Sequence, residues 1–186
     1  MAYERLNADE MLRIAIEAIQ ADRTAEAVDL LKSLLEREPD HVFATYLLAA
    51  EHAQLGMLDE AERGFGRAVE LAPDFDIARF QWGQLFLARG EPDAARSALQ
   101  PLAAKADGHA LCHYARGLIA TAQDDAQAAA AELQLGLSCP QEIAALEADM
   151  RRLIGSLQGL AQSDGSMATP AVAMPVQLTK YGQSAN

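Results

Sequence analysis

The segment from His109 to His113 holds residue types that often bind metal ions. His109 and His113 are four residues apart, so they face the same way on a helix, and Cys112 lies between them. Two imidazoles and a thiolate could bind zinc. We favour the alternative that this segment begins a helix with Cys112 in the core, because no carboxylate completes the ligand set. The sequence therefore predicts neither a metal nor a cofactor.

Segments that resemble catalytic motifs do not lie in the secondary structure that those motifs require. Gly64-Phe65-Gly66 has the glycine spacing of a phosphate loop, but such a loop follows a strand, and these residues lie in a helical pattern. Ser163-Asp164-Gly165-Ser166 is typical of a flexible turn. We find no nucleophile elbow, Walker loop or paired-carboxylate motif in the sequence. We therefore predict that the protein is not an enzyme.

A period of 34 residues organises most of the chain. Small residues recur at two positions of each period, and a large apolar residue follows the second position. The first position holds Ala15, Ala49, Gly83 and Gly117, the second holds Ala27, Ala61, Ala95 and Ala129, and the large residues are Leu31, Phe65, Leu99 and Leu133. Small residues let helices approach closely, so the period predicts helical hairpins that bury their apolar faces against one another.

Two breaks divide each period into two helices of about 13 residues. One break is a glycine turn, as at Gly56 and Gly90, and the other contains proline, as at Pro39 and Pro73. Glycine provides the backbone freedom that ends a helix, and proline cannot continue one.

Helix starts have signals of their own. Asn7 with Glu10, and Asp59 with Glu62, have the spacing of capping residues with a carboxylate that reaches back. Pro92 suits a first helical position, where its missing N–H is harmless.

The period resembles the tetratricopeptide repeat, whose pattern is W-x2-L-G-x2-Y, then A-x3-F, then P. The second period matches at Leu48-Ala49, Gly56, Ala61, Phe65 and Pro73. The resemblance covers about residues 8 to 140, and the fourth period departs from the pattern at Arg116 and Gly136. It implies an all-α protein: a right-handed α-α superhelical solenoid of four helix-turn-helix repeats.

The chain after the repeats is predicted to complete that fold. Apolar residues recur at helical spacing between residues 141 and 161, which predicts a C-terminal capping helix over the last repeat. We expect a repeat domain of residues 1–162 and an extended, proline-containing tail of residues 163–186.

Composition limits the partners. The net charge is −12, so the chain would repel phosphate backbones, and nucleic-acid binding is not expected. No apolar run is long enough to span a membrane, and the first residues have no signal-peptide pattern, which together predict a cytoplasmic protein. Cys112 and Cys139 are predicted to lie near each other at the ends of one hairpin; a disulfide and two free thiols are both open, and a reducing compartment favours thiols.

The resemblance implies that first helices line a concave groove. Residues carried onto that face by the period are mostly apolar, so we predict a groove for an apolar peptide segment, with burial in the core as the alternative. The predicted groove residues are Leu12, Ile16, Ile19, Phe43, Tyr46, Ile77, Phe80, Gln84, Leu87, Leu111, Tyr114 and Leu118.

The predicted function is a non-catalytic protein–protein interaction adaptor. The alternatives are a secretion-type chaperone for an exported protein and a non-catalytic subunit of a larger enzyme assembly. Residues 167–178 of the tail are themselves apolar. The tail is therefore a candidate ligand for the groove, in its own chain or in a neighbouring copy.

Overall fold

The computed structural model describes residues 6–106, 108–141 and 143–162, with side chains as far as Gly159. These residues form nine α-helices and no strand, so the prediction of an all-α chain of helix-turn-helix repeats is confirmed for the described part. The predicted tail, residues 163–186, lies outside it. The described chain divides into two compact units, one ending at Ala78 and the other beginning at Arg79.

The first unit contains two helical hairpins. They are α1 (Ala8–Gln20) with α2 (Thr24–Arg37), and α3 (Val42–Gln54) with α4 (Leu58–Leu71); the first residues of α5 (Asp76–Ala88) follow. Within the hairpins α1 packs on α2 and α3 on α4, and α2 also contacts α3. Sequential neighbours therefore share the core of this unit.

The second unit contains the rest of α5, then α6 (Pro92–Ala103), α7 (Ala110–Ala122), α8 (Ala126–Ser138) and α9 (Ala144–Gln162). Contacts again join sequential helices, α6 to α7, α7 to α8 and α8 to α9. Helix α9 buries one apolar stripe, which consists of Leu146, Met150, Leu153, Ile154 and Leu157.

The turn inside each hairpin has the same backbone conformation four times. Asp22, Gly56, Gly90 and Asp124, each 34 residues from the next, all have positive φ, at 55°, 74°, 73° and 58°. The N–H of the residue after each one donates to a carbonyl five residues back, as Met57 does to His52 at 2.9 Å. This arrangement ends a helix with its last carbonyls satisfied. The sequence period therefore extends to the backbone conformation.

The small positions of the period are contact points between the two helices of one hairpin. A Cβ placed on Gly117 of α7 would lie 2.7 Å from Cγ of Leu133 in α8, and a Cβ on Gly83 would collide with Leu99. Gly64 of α4 faces Ala49 in the same way. The large residues Leu99 and Leu133 therefore fill space beside the small residues of their own hairpins.

Helix starts agree with the sequence in two of three cases. Asn7 and Glu10 form a complete capping box on α1, and Pro92 is in the first turn of α6. The prediction that Asp59 caps α4 is wrong: Met57 is the N-cap, and it has no side-chain capping bond. The tight turn at Gly56 starts the helix earlier, so Asp59 lies inside the first turn. There the positive end of the helix dipole stabilises its negative charge.

Candidate functional site

Five of the twelve predicted groove residues lie in the core. Tyr46, Phe80, Gln84, Tyr114 and Leu118 are each at most 3% exposed. Neighbouring helices cover these five side chains, which agrees with the alternative that they are core residues. None of the five therefore has surface that a ligand could contact in this conformation. The other seven predicted residues are partly buried and keep some accessible surface: Leu12, Ile16, Ile19, Phe43, Ile77, Leu87 and Leu111.

An aromatic cluster in the first unit joins the buried and accessible residues. The Tyr46 ring is buried, and its centroid lies 5.8 Å from that of Phe43, 5.0 Å from that of Phe75 and 6.1 Å from that of Phe65. Phe43 and Phe75 are partly exposed and lie 6.2 Å apart. We call Phe43 and Phe75, with Tyr46 behind them, the aromatic surface.

Phe75 is a residue that the sequence analysis missed. It precedes α5, at the place in the period where Asn7 and His41 cap the first helices of their repeats. Because it lies outside the helix, the apolar pattern of the helices does not include Phe75. Its signal in the sequence was a large aromatic residue at a position that usually caps a helix.

Two ionisable groups of the first unit are buried on α3. Burial raises the pKa of Glu51, and the charge of Asp22 raises it further, while a hydrogen bond with Thr24 opposes the shift. The stabilising contribution of this carboxyl is therefore complete below its unfolded pKa and is lost as pH rises through the folded value. Burial also lowers the pKa of His52, with Lys32 adding to the effect. Both shifts favour the uncharged side chains.

A polar network holds the hydroxyl of Tyr114 in the second unit. Its hydroxyl donates to Oε1 of Gln141 at 2.8 Å, and Nε2 of Gln141 donates to the carbonyls of Gly136 and Cys139 at 2.8 and 2.7 Å. Burial raises the pKa of Tyr114 to about 12. One glutamine thus satisfies both the tyrosine and the end of α8.

Gln84 and Leu87 have different surroundings on α5. The buried Oε1 of Gln84 has no hydrogen-bond partner within the described ranges. Leu87 packs against the small core formed by Phe86, Ala95 and Ala98. Only the outer part of Leu87 can therefore contribute to a binding surface.

The segment predicted as an alternative metal site has another role. Cys112 is buried, and Nδ1 of His113 lies 2.9 Å from Oε2 of Glu132, while His109 is the N-cap of α7. Across the residues with described positions, no three His, Cys, Asp or Glu side chains are grouped so that they could hold a metal ion. Cys112 and Cys139 are not joined by a disulfide. The imidazole–carboxylate pair instead links α7 to α8.

Two family profiles match the chain, both described as Tetratricopeptide repeat, at residues 18–81 and 80–142. Together they cover residues 18–142, which include parts of both units. The chain belongs to the tetratricopeptide repeat family. Repeats of this family bind other proteins, so a general role in protein interaction follows. No curated protein matches the sequence.

Solved structures share the fold of this tetratricopeptide repeat protein. A thermophilic repeat protein of Thermus thermophilus, TTC0263, matches with 21% identity and a TM-score of 0.68 over 84% of each chain. MamA of Desulfovibrio magneticus RS-1 matches with 19% identity and a TM-score of 0.60, over 86% of this chain and 97% of that one. PilW, a type IV pilus biogenesis factor, matches with 16% identity and a TM-score of 0.60, over 96% and 87%.

The departures of the fourth repeat from the family pattern have structural roles. Arg116 stands where the pattern has a large apolar residue, and its guanidinium donates to the carbonyls of Ala103 and Lys105 at 2.8 and 2.9 Å. It thereby satisfies carbonyls at the end of α6, where a cation also suits the helix dipole. A Cβ at Gly136 would collide with the Tyr114 ring, so glycine makes room for that ring.

No helix in the described part of this repeat protein is both long and apolar enough to cross a membrane.

Proposed function

We propose that this tetratricopeptide repeat protein is a non-catalytic adaptor that binds an apolar segment of a partner protein through its first helices. The observation that carries the proposal is the aromatic surface of the first unit. Phe43 and Phe75 expose part of their rings, and the buried Tyr46 ring packs against both. A ligand would thus contact two aromatic rings that Tyr46 already holds in place. Little side-chain entropy of these rings would be lost on binding.

Partly exposed aliphatic residues add apolar surface in each unit. They are Leu12, Ile16, Ile19 and Ile77 in the first unit and Leu87 and Leu111 in the second. None of the predicted groove residues is basic, so the proposed ligand is held by hydrophobic burial. Binding should then change little with salt, because screening weakens only charged interactions.

A photo-crosslinking amino acid in place of Phe43 tests this proposal in cells of the natural host. We expect a crosslinked partner whose attached peptide is apolar. In lysates irradiated in 0.5 M sodium chloride, roughly the range in which surface charges are screened, we expect the same yield of product. Phe75→Ser in the same protein should remove the product. The matched control places the crosslinker at Arg152, an exposed position on α9.

Equal crosslinking from the Arg152 position would contradict the proposed surface. Loss of the product when irradiation takes place in high salt would contradict an apolar ligand and would favour a charged one. Circular dichroism of the Phe75→Ser protein separates lost binding from lost folding.

The tail is the candidate ligand that the chain itself provides. Residues 167–178 are apolar and contain two prolines, a composition that suits an extended segment. Tethering gives such a segment an effective concentration of about millimolar. We propose that it competes with partners for the aromatic surface, in its own chain or in a neighbouring copy.

Deletion of residues 163–186 tests the tail. We expect tighter binding of the crosslinked partner, or conversion of an oligomer to a monomer by light scattering. Unchanged affinity together with an unchanged oligomeric state would leave the tail without this role. The chaperone and enzyme-subunit alternatives and the cytoplasmic location stay predictions from the sequence.

A further inference from the structure

Three large apolar side chains are exposed together in the turn between α3 and α4. Leu55 is 53% exposed, Met57 39% and Leu58 36%, and they flank Gly56 in the tight turn. Only one other large apolar side chain in the described part is as exposed, Leu135 on α8. We call Leu55, Met57 and Leu58 the turn patch. Contiguous exposed apolar side chains of this kind mark interaction sites.

The fold does not require apolar residues at these positions. The other three hairpins have the same positive-φ turn, with the same backbone hydrogen bond. There the positions of Leu55, Met57 and Leu58 are filled by Ala21, Arg23 and Thr24, by Arg89, Glu91 and Pro92, and by Gln123, Asp125 and Ala126. The turn forms equally with mostly polar side chains, so its geometry does not explain the turn patch.

The charges beside the turn patch limit what can cover it. Asp59, Glu60 and Glu62 follow it in the first turns of α4. Arg63 is the nearest arginine or lysine in sequence, and it pairs with Glu60 at 3.2 Å. The first turns of α4 therefore give the patch a border with three acidic side chains and one basic one.

An acidic border excludes two occupants and favours a third. A second copy of this chain, with a net charge of −12, would bring like charges together, and anionic lipids would be repelled as well. A segment with apolar side chains and lysine or arginine beside them satisfies both the patch and its border.

We propose that the turn patch docks a cationic amphipathic helix of a partner protein. This surface lies on the turn from α3 to α4 and is separate from the aromatic surface. It gives the first unit a second binding site, with a different salt dependence: binding here should weaken as salt rises, whereas binding at the aromatic surface should change little.

The test uses a model amphipathic peptide, LKKLLKLLKKLLKL, and its counterpart with glutamate in place of lysine. The informative variant is Leu55→Gln, Met57→Asp and Leu58→Ala together, which copies the turn between α7 and α8. That variant keeps the turn and adds a negative charge, so electrostatics alone would strengthen binding of the lysine peptide. We expect fluorescence anisotropy to show binding about tenfold weaker, because anchor residues of an interface have effects of this size.

The matched control is Leu135→Gln, which removes an equally exposed leucine from α8; it should change the affinity less than about twofold. Asp59→Asn with Glu62→Gln should weaken binding at low salt and have little effect at high salt. Equal or tighter binding by the triple variant, or equal binding of the glutamate peptide, would overturn the proposal. Crosslinking from Phe43 should survive the triple substitution, so the two proposed surfaces can fail separately.

Discussion

Tyr46 and Tyr114 occupy the same position in the second and fourth repeats, and both rings are almost completely buried. Their surroundings are nevertheless different. Tyr46 lies among the rings of Phe43, Phe65 and Phe75. Tyr114 fits because Gly136 leaves space for it, and its hydroxyl donates to Gln141.

The comparison shows that the repeat determines the position of the tyrosine ring. The residues that bury the ring differ between repeats, because they lie at positions that the repeat does not conserve within this chain. One tyrosine is held by other aromatic residues, which also leave an apolar edge accessible. The other is held by a glycine and a polar side chain, and it leaves no such edge. Only the first arrangement produces a candidate binding surface.

Removal of a ring from the Tyr46 cluster should give the largest loss of stability in this comparison. Phe65 is completely buried and packs on Tyr46. Phe65→Ala should lower the free energy of unfolding by about 3–5 kcal/mol, the range for deleting a buried phenylalanine. Phe43→Ala, at a partly exposed position, should cost clearly less. Chemical denaturation measures both free energies. Equal losses for the two variants would mean that the buried Phe65 does not stabilise the cluster more than Phe43 does.

A side chain at Gly136 tests the space around Tyr114. Gly136→Ala places a Cβ against the Tyr114 ring and should destabilise the protein by about 1–3 kcal/mol through overpacking. The smaller side chain of Tyr114→Leu should recover part of that loss in the double variant, and a double-mutant cycle measures the recovery. If the two effects simply add, Gly136 has some other role.

The Tyr114 hydroxyl has a smaller effect that depends on pH. Tyr114→Phe removes the bond to Gln141 and should cost about 0.5–1.5 kcal/mol at neutral pH. The raised pKa, about 12, means that unfolding favours ionisation of the tyrosine, so this group's stabilising contribution is lost as pH rises from about 10 towards 12.

The difference in Tm between wild type and Tyr114→Phe should therefore narrow between about pH 10 and pH 12. A constant difference would contradict the burial of the hydroxyl. Phenylalanine is the matched control for every other group that titrates in that range.

The turns of the two tyrosine hairpins give the smallest expected effects. Gly56 and Asp124 have nearly the same positive φ, which costs less for glycine than for aspartate. Asp124→Gly should stabilise the protein by about 0.5–1 kcal/mol, and Gly56→Ala should destabilise it by about 1 kcal/mol. Thermal unfolding measures both, and effects of the same sign would mean that backbone strain is not what separates the two turns.

Much of the fold could be predicted from the sequence, because a 34-residue period records the same packing several times. The small residues at Ala49, Gly83 and Gly117 lie at helix contacts, as their size implied. The start of α4 was misjudged because the tight turn at Gly56 outweighs a carboxylate capping pattern.

The candidate site was less predictable. The period identifies which residues share a face, but exposure depends on side chains from other helices. The period therefore placed Tyr46, Phe80 and Tyr114 on one face of the first helices, but it could not decide between the groove and the core alternative, and they are buried. Phe75 lies outside the helical columns, and the sequence offered only its unusual place in the period.

The four equivalent turns have a consequence for how the length of this protein can change. The backbone has the same conformation at Asp22 and at Gly56. A deletion or duplication of 34 residues between two such turns joins backbone segments of the same conformation. It also keeps first and second helices in alternating order. A change of any other length would shift the small residues away from their contacts. Recombination between the repeats of the gene should therefore be tolerated in whole repeats, and shorter insertions only in surface turns.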